Sequence, residues 1–373
     1  MQILRGMTWD HPRGLDSVLL SNSILQSELN LTVDWRARSL LDFGDQPVLE
    51  FFNDVDLMVI DHPHVPDAVH SNTVLPFENF LTPPELELLS RTSVGQSHNS
   101  YTYQGKQWAL AIDTAAQVSA FRADLTDCAP VFWSDVIEVA KKGTLLWSHK
   151  PVDIFSTFAT LMAQKGSPLC GDGQFINESV ALEVLEFMLE LSTLVPDFCA
   201  SSNPIDVAEI LATSDDYHVG VCMYGYSNYA RVGFRERVLL YDDLPSFDGR
   251  ASGSQLGGAG IAISAASVNP ELAARVAMFL SMPLIQSTTY VQAGGQPGNV
   301  CAWKSESANS LTHNFFRNTL RTLERAWVRP RLFGWPDVQY ESSQIIHQGI
   351  TTRKITTVTV KSLSEVYERL IRE

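Results

Sequence analysis

Two short loops gather the side chains best suited to holding a small polar molecule. Trp9-Asp10-His11-Pro12-Arg13-Gly14 supplies an indole, a carboxylate, an imidazole and a guanidinium in one turn of chain. Asp61-His62-Pro63-His64 adds a second carboxylate and two more imidazoles. Aromatic faces wall a ligand's apolar surface, and a few placed polar groups fix its orientation. Each residue also has a plainer use. Trp9 can anchor a core, and Asp10 can cap a following helix in which Pro12 takes an early position. Arg13 either meets a ligand at a helix start or pairs with Asp16 on the surface. His11, His62 and His64 are metal-ligand types, but their spacing defines no ligand set, so neither a metal nor a cofactor is expected.

Other chemistry is disfavoured by what surrounds it. Gly257-Gly258-Ala259-Gly260 lacks the Gly-Lys-Ser/Thr ending of a phosphate loop and runs on into a strand-like stretch. The GxSxG, HExxH and CxxC patterns do not occur, and the 5 cysteines (Cys128, Cys170, Cys199, Cys222, Cys301) are odd in number and scattered. A formal net charge of −15, with no basic stripe interleaved with aromatics, argues against nucleic acid. No window approaches the roughly 20 apolar residues of a membrane span, so no membrane insertion is expected. The opening segment has no unbroken apolar stretch after a basic start, which reads as cytoplasmic for the chain as written and as periplasmic if a leader was removed.

The elements that position the two loops follow from periodicity. Residues 2–8 form a strand candidate that runs into the first loop. Residues 15–29 carry apolar side chains at 15, 18, 19 and 25, fair helical spacing on one face. Residues 31–35 make a second strand, and residues 47–52 a short helix. Residues 56–60 (DLMVI) form an apolar run suited to a strand buried on both faces, ending at the second loop. This β-α-β-α-β order predicts a parallel sheet with both loops beyond its carboxyl ends, where ligands of α/β sheets bind. With 373 residues, 45% of them apolar, the chain suits two lobes rather than one core. Residues 362–373 (SLSEVYERLIRE) read as a capped amphipathic helix that docks on its own domain.

Residues 105–125 (GKQWALAIDTAAQVSAFRADL) resemble the crossover segment of family 1 extracellular solute-binding proteins, the maltose-binding-like group that serves ABC importers. Ala111 replaces the usual proline there, and Phe121-Arg122-Ala123 stands where the family often has Tyr-Asn. Further matches follow in family order: Leu75-Pro76-Phe77, Phe132-Trp133-Ser134-Asp135, the helix VALEVLEFMLEL at 180–191 and the strand VGVCMYGY at 219–226. GGAGIAIS at 257–264 resembles the return strand, residues 269–280 the helix behind it, and Gln286, Gly294, Gly295 and Pro297 the region after that. The loops TWDHPRG and DHPH are not general family features and mark a distinct subgroup.

The resemblance implies an α/β, two-lobed type II periplasmic binding protein fold, each lobe a mostly parallel sheet flanked by helices and joined by hinge strands. Lobe 1 would comprise residues 1–112 and 258–303, and lobe 2 residues 113–257 and 304–373. It implies a monomeric solute-binding protein that closes on a small polar ligand between its lobes and works with ABC permease subunits. On that reading Trp9, Asp10, His11, Arg13, Asp61 and His62 line the first-lobe side. Ser97 and Tyr101 add hydroxyl contacts from a polar loop, Asp113 sits at the hinge and Gln117 just past it. Tyr224, Tyr226 and Asn228 reach in from the second lobe. Gly257 and Gly258 let backbone amides approach the ligand. Trp335 either walls the cleft or pins the C-terminal segment. The aromatic, acidic and amide set suits a sugar or polyol, a small carboxylate or an amine.

The same scaffold also carries enzymes, and fold does not fix function. In that reading Cys222 is the nucleophile, His11 or His62 the base, and Asp61 or Asp113 its orienting group. Against it, a strand cysteine more often packs as a small hydrophobe. A ligand sensor that presents its closed form to a partner is the third reading.

Overall fold

The computed structural model describes residues 2–38 and 49–371. The strands are β1 (Gln2–Trp9), β2 (Leu31–Arg38), β3 (Leu57–Ile60), β4 (Val74–Leu75), β5 (Thr102–Tyr103), β6 (Lys106–Gln107), β7 (Ala109–Phe121), β8 (Leu145–Trp147), β9 (Val219–Tyr224), β10 (Leu240–Asp242) and β11 (Leu256–Ser264). The longer helices are α1 (Leu15–Leu29), α2 (Pro83–Thr92), α3 (Trp133–Lys141), α4 (Pro151–Gln164), α5 (Glu178–Ser192), α6 (Pro204–Thr213), α7 (Pro270–Ser281), α8 (Phe315–Glu324), α9 (Trp335–Thr351) and α10 (Thr357–Leu370). The chain divides into two compact units. One holds residues 1–115, 257–309 and 331–333, and the other 116–256, 310–330 and 334–373.

In the first unit β1 pairs in parallel with β2 and β3, and β11 runs antiparallel to β3 and β4. The predicted β-α-β-α-β order is therefore a parallel sheet. The four residues of β3 show why its sequence is an unbroken apolar run. Leu57 and Val59 enter one hydrophobic cluster, while Met58 and Ile60 enter another. Successive strand side chains point to opposite faces, and here both faces are covered.

Helix α1 has the predicted bounds, and of its predicted face Leu15, Val18 and Leu25 pack on the core while Leu19 does not. Ser17, Val18, Ser21 and Leu25 are buried, whereas Leu19 and Leu20 stay about half exposed. Ser17 and Ser21 are tolerated inside because their hydroxyls donate to the carbonyls of Arg13 and Ser17, both at 2.9 Å. The helix ends where Asn30 adopts the left-handed conformation, and the Asn30 N–H returns to Leu25. Of the helix expected at 47–52, Pro47 and Val48 lie outside the described residues, and Leu49–Asp54 is a 3-10 helix.

In the second unit the order is β10-β7-β9-β8, antiparallel except for the parallel pair β8–β9. Helix α4 is buried from Asp153 to Met162 and packs on α9 and α5. The residue standing in for the family's Tyr-Asn, Arg122, closes the end of β7. Its fully buried guanidinium donates to Asp124 at 2.7 and 2.6 Å, to Asp215 at 2.8 Å and to the carbonyls of Leu211 and Ser214. Its hydrogen bonds to Asp124, set against the cost of burial, raise its already high pKa. The predicted C-terminal helix begins earlier, at Thr357, and ends at Leu370.

Candidate ligand-binding site

In the first unit the candidate residues begin where β1 stops. Trp9 is buried, with its indole laid on Gly14, where an added Cβ would come within 2.4 Å of the ring. That close approach holds the turn tight. The Asp10 N–H donates to the Arg38 carbonyl at 2.7 Å, and the Arg13 N–H donates to His11 Nδ1 at 3.1 Å. Asp10 does not cap α1, whose N-cap is Gly14 without a side-chain hydrogen bond. Asp10 is exposed and His11 half-buried.

Arg13 does not pair with Asp16. Its Nε donates to Asp113 Oδ2 at 2.7 Å, its Nη2 donates to Asp113 Oδ1, and both side chains are buried. Burial raises the Asp113 pKa, while Arg13 and the Gln296 N–H oppose the rise. Tyr290 is completely buried. Burial, and then the charge of Asp113, pushes its phenol well above the usual range. The Thr114 N–H donates to Gln296 O at 3.0 Å, and Gln286 Nε2 reaches Ile112 O at 3.1 Å. The carboxyl-end loops are thereby tied to the first half of β7. Gly258, at φ +126°, lies so close to β7 that a Cβ there would come within 2.5 Å of Asp113 O.

The second loop is a cap. Asp61 Oδ1 accepts from the His62 N–H at 2.8 Å and lies 3.1 Å from His62 Nδ1. His62 is buried with its ring edge-on to Tyr101 at 6.0 Å, and the Tyr101 hydroxyl donates to Ile60 O at 3.3 Å. Ser97 is also buried, bonded to Val94 O and Thr114 Oγ1, both at 2.7 Å. Tyr101 and Ser97 thus spend the hydroxyls expected for a ligand on their own unit. Among the described residues no cluster of histidine, cysteine, aspartate and glutamate has a metal-holding arrangement.

In the second unit the candidate residues lie beyond the carboxyl ends of β8 and β9. Tyr224 ends β9 partly exposed, and Tyr226 and Asn228 follow it, both buried. Asn228 Oδ1 and Ser148 Oγ, the latter just after β8, are buried without a hydrogen-bond partner. Leaving such an atom unmatched costs about 1–3 kcal/mol, which makes both suited to a polar guest or a water. His149 stacks on Trp147 at 4.3 Å, and its Nδ1 lies 2.9 Å from Trp147 O. Burial, followed by the neighbouring His347, brings its pKa down to about 4. Ser148 and His149 were not singled out from sequence. Their signal was the run Leu145-Leu146-Trp147, closed by Ser-His-Lys and by Pro151 at a helix start.

Three expected site residues are placed in the interior. Gln117 is fully buried; its Nε2 donates to Cys222 O at 2.8 Å and its Oε1 accepts from Thr160 Oγ1 at 2.6 Å. Trp335 is fully buried, edge-on to Phe155 at 6.3 Å and Phe175 at 6.2 Å, the packing of an anchor for the C-terminal segment. Cys222 is buried, and burial pushes its thiol up to about 12, away from any nucleophilic state.

The whole chain is similar to solved solute-binding proteins. Maltose-bound MalE3 from T. maritima matches at 18% identity, covering 100% of both chains with a TM-score of 0.85. An ABC transporter solute-binding protein from Thermotoga lettingae TMO bound with α-D-tagatose matches at 17% identity over 99% of each chain, TM-score 0.80. One from Agrobacterium radiobacter K84 in complex with ribitol matches at 15% identity over 99% of this chain and 98% of that one, TM-score 0.82. A scan of protein-family models and a search of curated proteins gave no match. These likenesses establish the fold: the chain has the two-lobed α/β fold of maltose-binding-like ABC solute-binding proteins, as the order of its motifs implied. Among the described residues no helix is long and apolar enough to cross a membrane.

Proposed function

We propose that this protein is a solute-binding protein that captures a small neutral polyhydroxylated molecule, a sugar or polyol. In that role it is the substrate-binding component of an ABC-type importer and acts outside the cytoplasmic membrane, with permease subunits as its partners. The reading is carried by full-length similarity to proteins described as bound to maltose, α-D-tagatose and ribitol.

The Arg13–Asp113 pair supports a neutral ligand over a charged one. Each charge is already met by the other inside the first unit. A ligand carboxylate could take Arg13, or an ammonium Asp113, only by breaking that pair and leaving the other charge buried, at several kcal/mol. The residues assigned here to recognition are of the kind that read hydroxyls: Asp10, His11, Asp61, Tyr224, Asn228 and Ser148. Carboxylates and amides accept from sugar hydroxyls, and an aromatic face covers a ring's apolar side. The enzyme reading draws no support from Cys222, whose thiol is buried and neutral.

The test is thermal unfolding in the presence of maltose, D-tagatose and ribitol, alongside a small dicarboxylate and a quaternary amine. A ligand at 100 times its dissociation constant stabilises the native state by about 2.7 kcal/mol. Stabilisation by a sugar or polyol, with the compound recovered unchanged, supports the proposal. Stabilisation by the charged compounds alone, or chemical turnover of a stabilising compound, overturns it.

A further inference from the structure

We infer that Gln255 is a positioning residue for Tyr224: its amide fixes where the phenol oxygen sits and turns the phenol proton away from the interior. The relevance of that orientation to a solute rests on the reading above.

Gln255 is completely buried, while Tyr224 is partly exposed at the end of β9. Gln255 Nε2 donates to Tyr224 Oη at 2.7 Å and to Ser156 Oγ at 2.9 Å. An amide nitrogen only donates, so the phenol oxygen is the acceptor and its own proton lies on the side away from Gln255. The Ser156 hydroxyl proton goes to Val152 O at 3.1 Å, so Ser156 Oγ is an acceptor too, which places the amide nitrogen on this side.

The amide itself is held from behind. The Gln255 N–H donates to Thr160 Oγ1 at 2.9 Å, and Thr160 Oγ1 donates to Gln117 Oε1 at 2.6 Å. Gln117 Nε2 in turn donates to Cys222 O at 2.8 Å, two residues before Tyr224 on the same strand. Ser254 Oγ closes the circuit on Gln117 O at 2.8 Å. At Cys222 the backbone leaves the extended range (φ +53°), a conformation that ordinary residues adopt at a cost. The Gln117 amide grips the carbonyl of that same residue. The network thus fixes both the backbone that leads into Tyr224 and the hydroxyl at its tip. Gln255 Oε1 is buried without a hydrogen-bond partner, so the amide's orientation is carried by the donor contacts of Nε2, with the backbone N–H anchoring the residue.

The test uses Gln255→Met, which removes the amide, and Gln255→Glu, which keeps its shape but presents only acceptors, so the phenol proton must turn inward. In ligand-free protein carrying 13Cζ-labelled tyrosine, the Tyr224 resonance is identified as the one missing in Tyr224→Phe. Both Gln255 variants should shift that resonance and leave the other nine of the 10 tyrosines in place. An unmoved Tyr224 resonance in a folded variant overturns the inference. So does loss of fold in both variants, which would make Gln255 a structural residue only. In titrations with maltose, D-tagatose and ribitol, Gln255→Glu should weaken the best binder about tenfold in wild-type background and not at all in Tyr224→Phe. Equal losses in both backgrounds overturn the link to recognition. If none of the three probes binds wild-type protein, the sugar reading fails while the resonance experiment still decides the positioning role.

Discussion

Arg13 and Asp113 stand 100 residues apart in sequence and form a two-point ion pair buried within the first unit. Arg13→Ala should therefore cost about 3–5 kcal/mol, because it strands a buried carboxylate. Replacing both residues, as in Arg13→Met with Asp113→Leu, should recover much of that loss. Urea unfolding of wild type, Arg13→Met, Asp113→Leu and the double variant checks this. A double variant as unstable as the sum of the two single ones would show that the residues do not act as a pair.

Gly258 is held at φ +126° beside the backbone of Asp113. Gly258→Ala should destabilise by about 2 kcal/mol or more, since it combines backbone strain with a clash that cannot rotate away. Gly105, at φ +74° with open space around its missing side chain, is the control, and Gly105→Ala should cost about 1 kcal/mol. Equal effects at the two positions would remove the argument for close approach.

Thiol accessibility separates the cysteines. Cys128 and Cys301 are exposed, whereas Cys199 and Cys222 are buried with thiols pushed up to about 11 and about 12 by burial. Native protein should label quickly at Cys128 and Cys301 with a thiol reagent at pH 8, and Cys222 should react only on unfolding. Fast native labelling of Cys222 would reopen the nucleophile reading.

His98 and His149, one in each unit, both have pKa values brought down to about 4, chiefly by burial. The unfolded chain takes up these protons near pH 6.5 and the native state only near 4. Stability is then fully present above 6.5 and lost as pH falls toward 4, at up to about 1.4 kcal/mol per pH unit for each histidine. His149→Gln should flatten the pH dependence of urea midpoints in that window. An unchanged slope would mean that His149 protonates freely in the native state.

Trp335→Ala opens a cavity between Phe155 and Phe175 and should cost about 3–5 kcal/mol. Calorimetric titration of the folded variant with any solute that binds the wild-type protein should give an unchanged affinity. A large affinity loss with little loss of stability would return Trp335 to the cleft.

The β-α-β order of the first 60 residues was legible because each element repeats its own period. The alternation of β3 between two clusters leaves an unbroken apolar run, and α1 keeps its predicted bounds. Its buried face also takes in Ser17 and Ser21 and leaves out Leu19, because the serines satisfy their hydroxyls on the helix itself, which a hydrophobicity count cannot register.

The sequence by itself determined the strands and first helix of the opening 60 residues, their order, and that Trp9–Gly14 and Asp61–His64 follow the carboxyl ends of parallel strands. Only the tertiary structure decided what each polar side chain does there: Arg13 meets Asp113 instead of Asp16, Gln117 turns inward, and Gln255, unnoticed in the sequence, reaches Tyr224. The reason is range. Periodicity and caps arise from neighbours a few residues apart and are written locally, whereas a hydrogen bond between residues 31 or 100 positions apart leaves no mark in either segment alone.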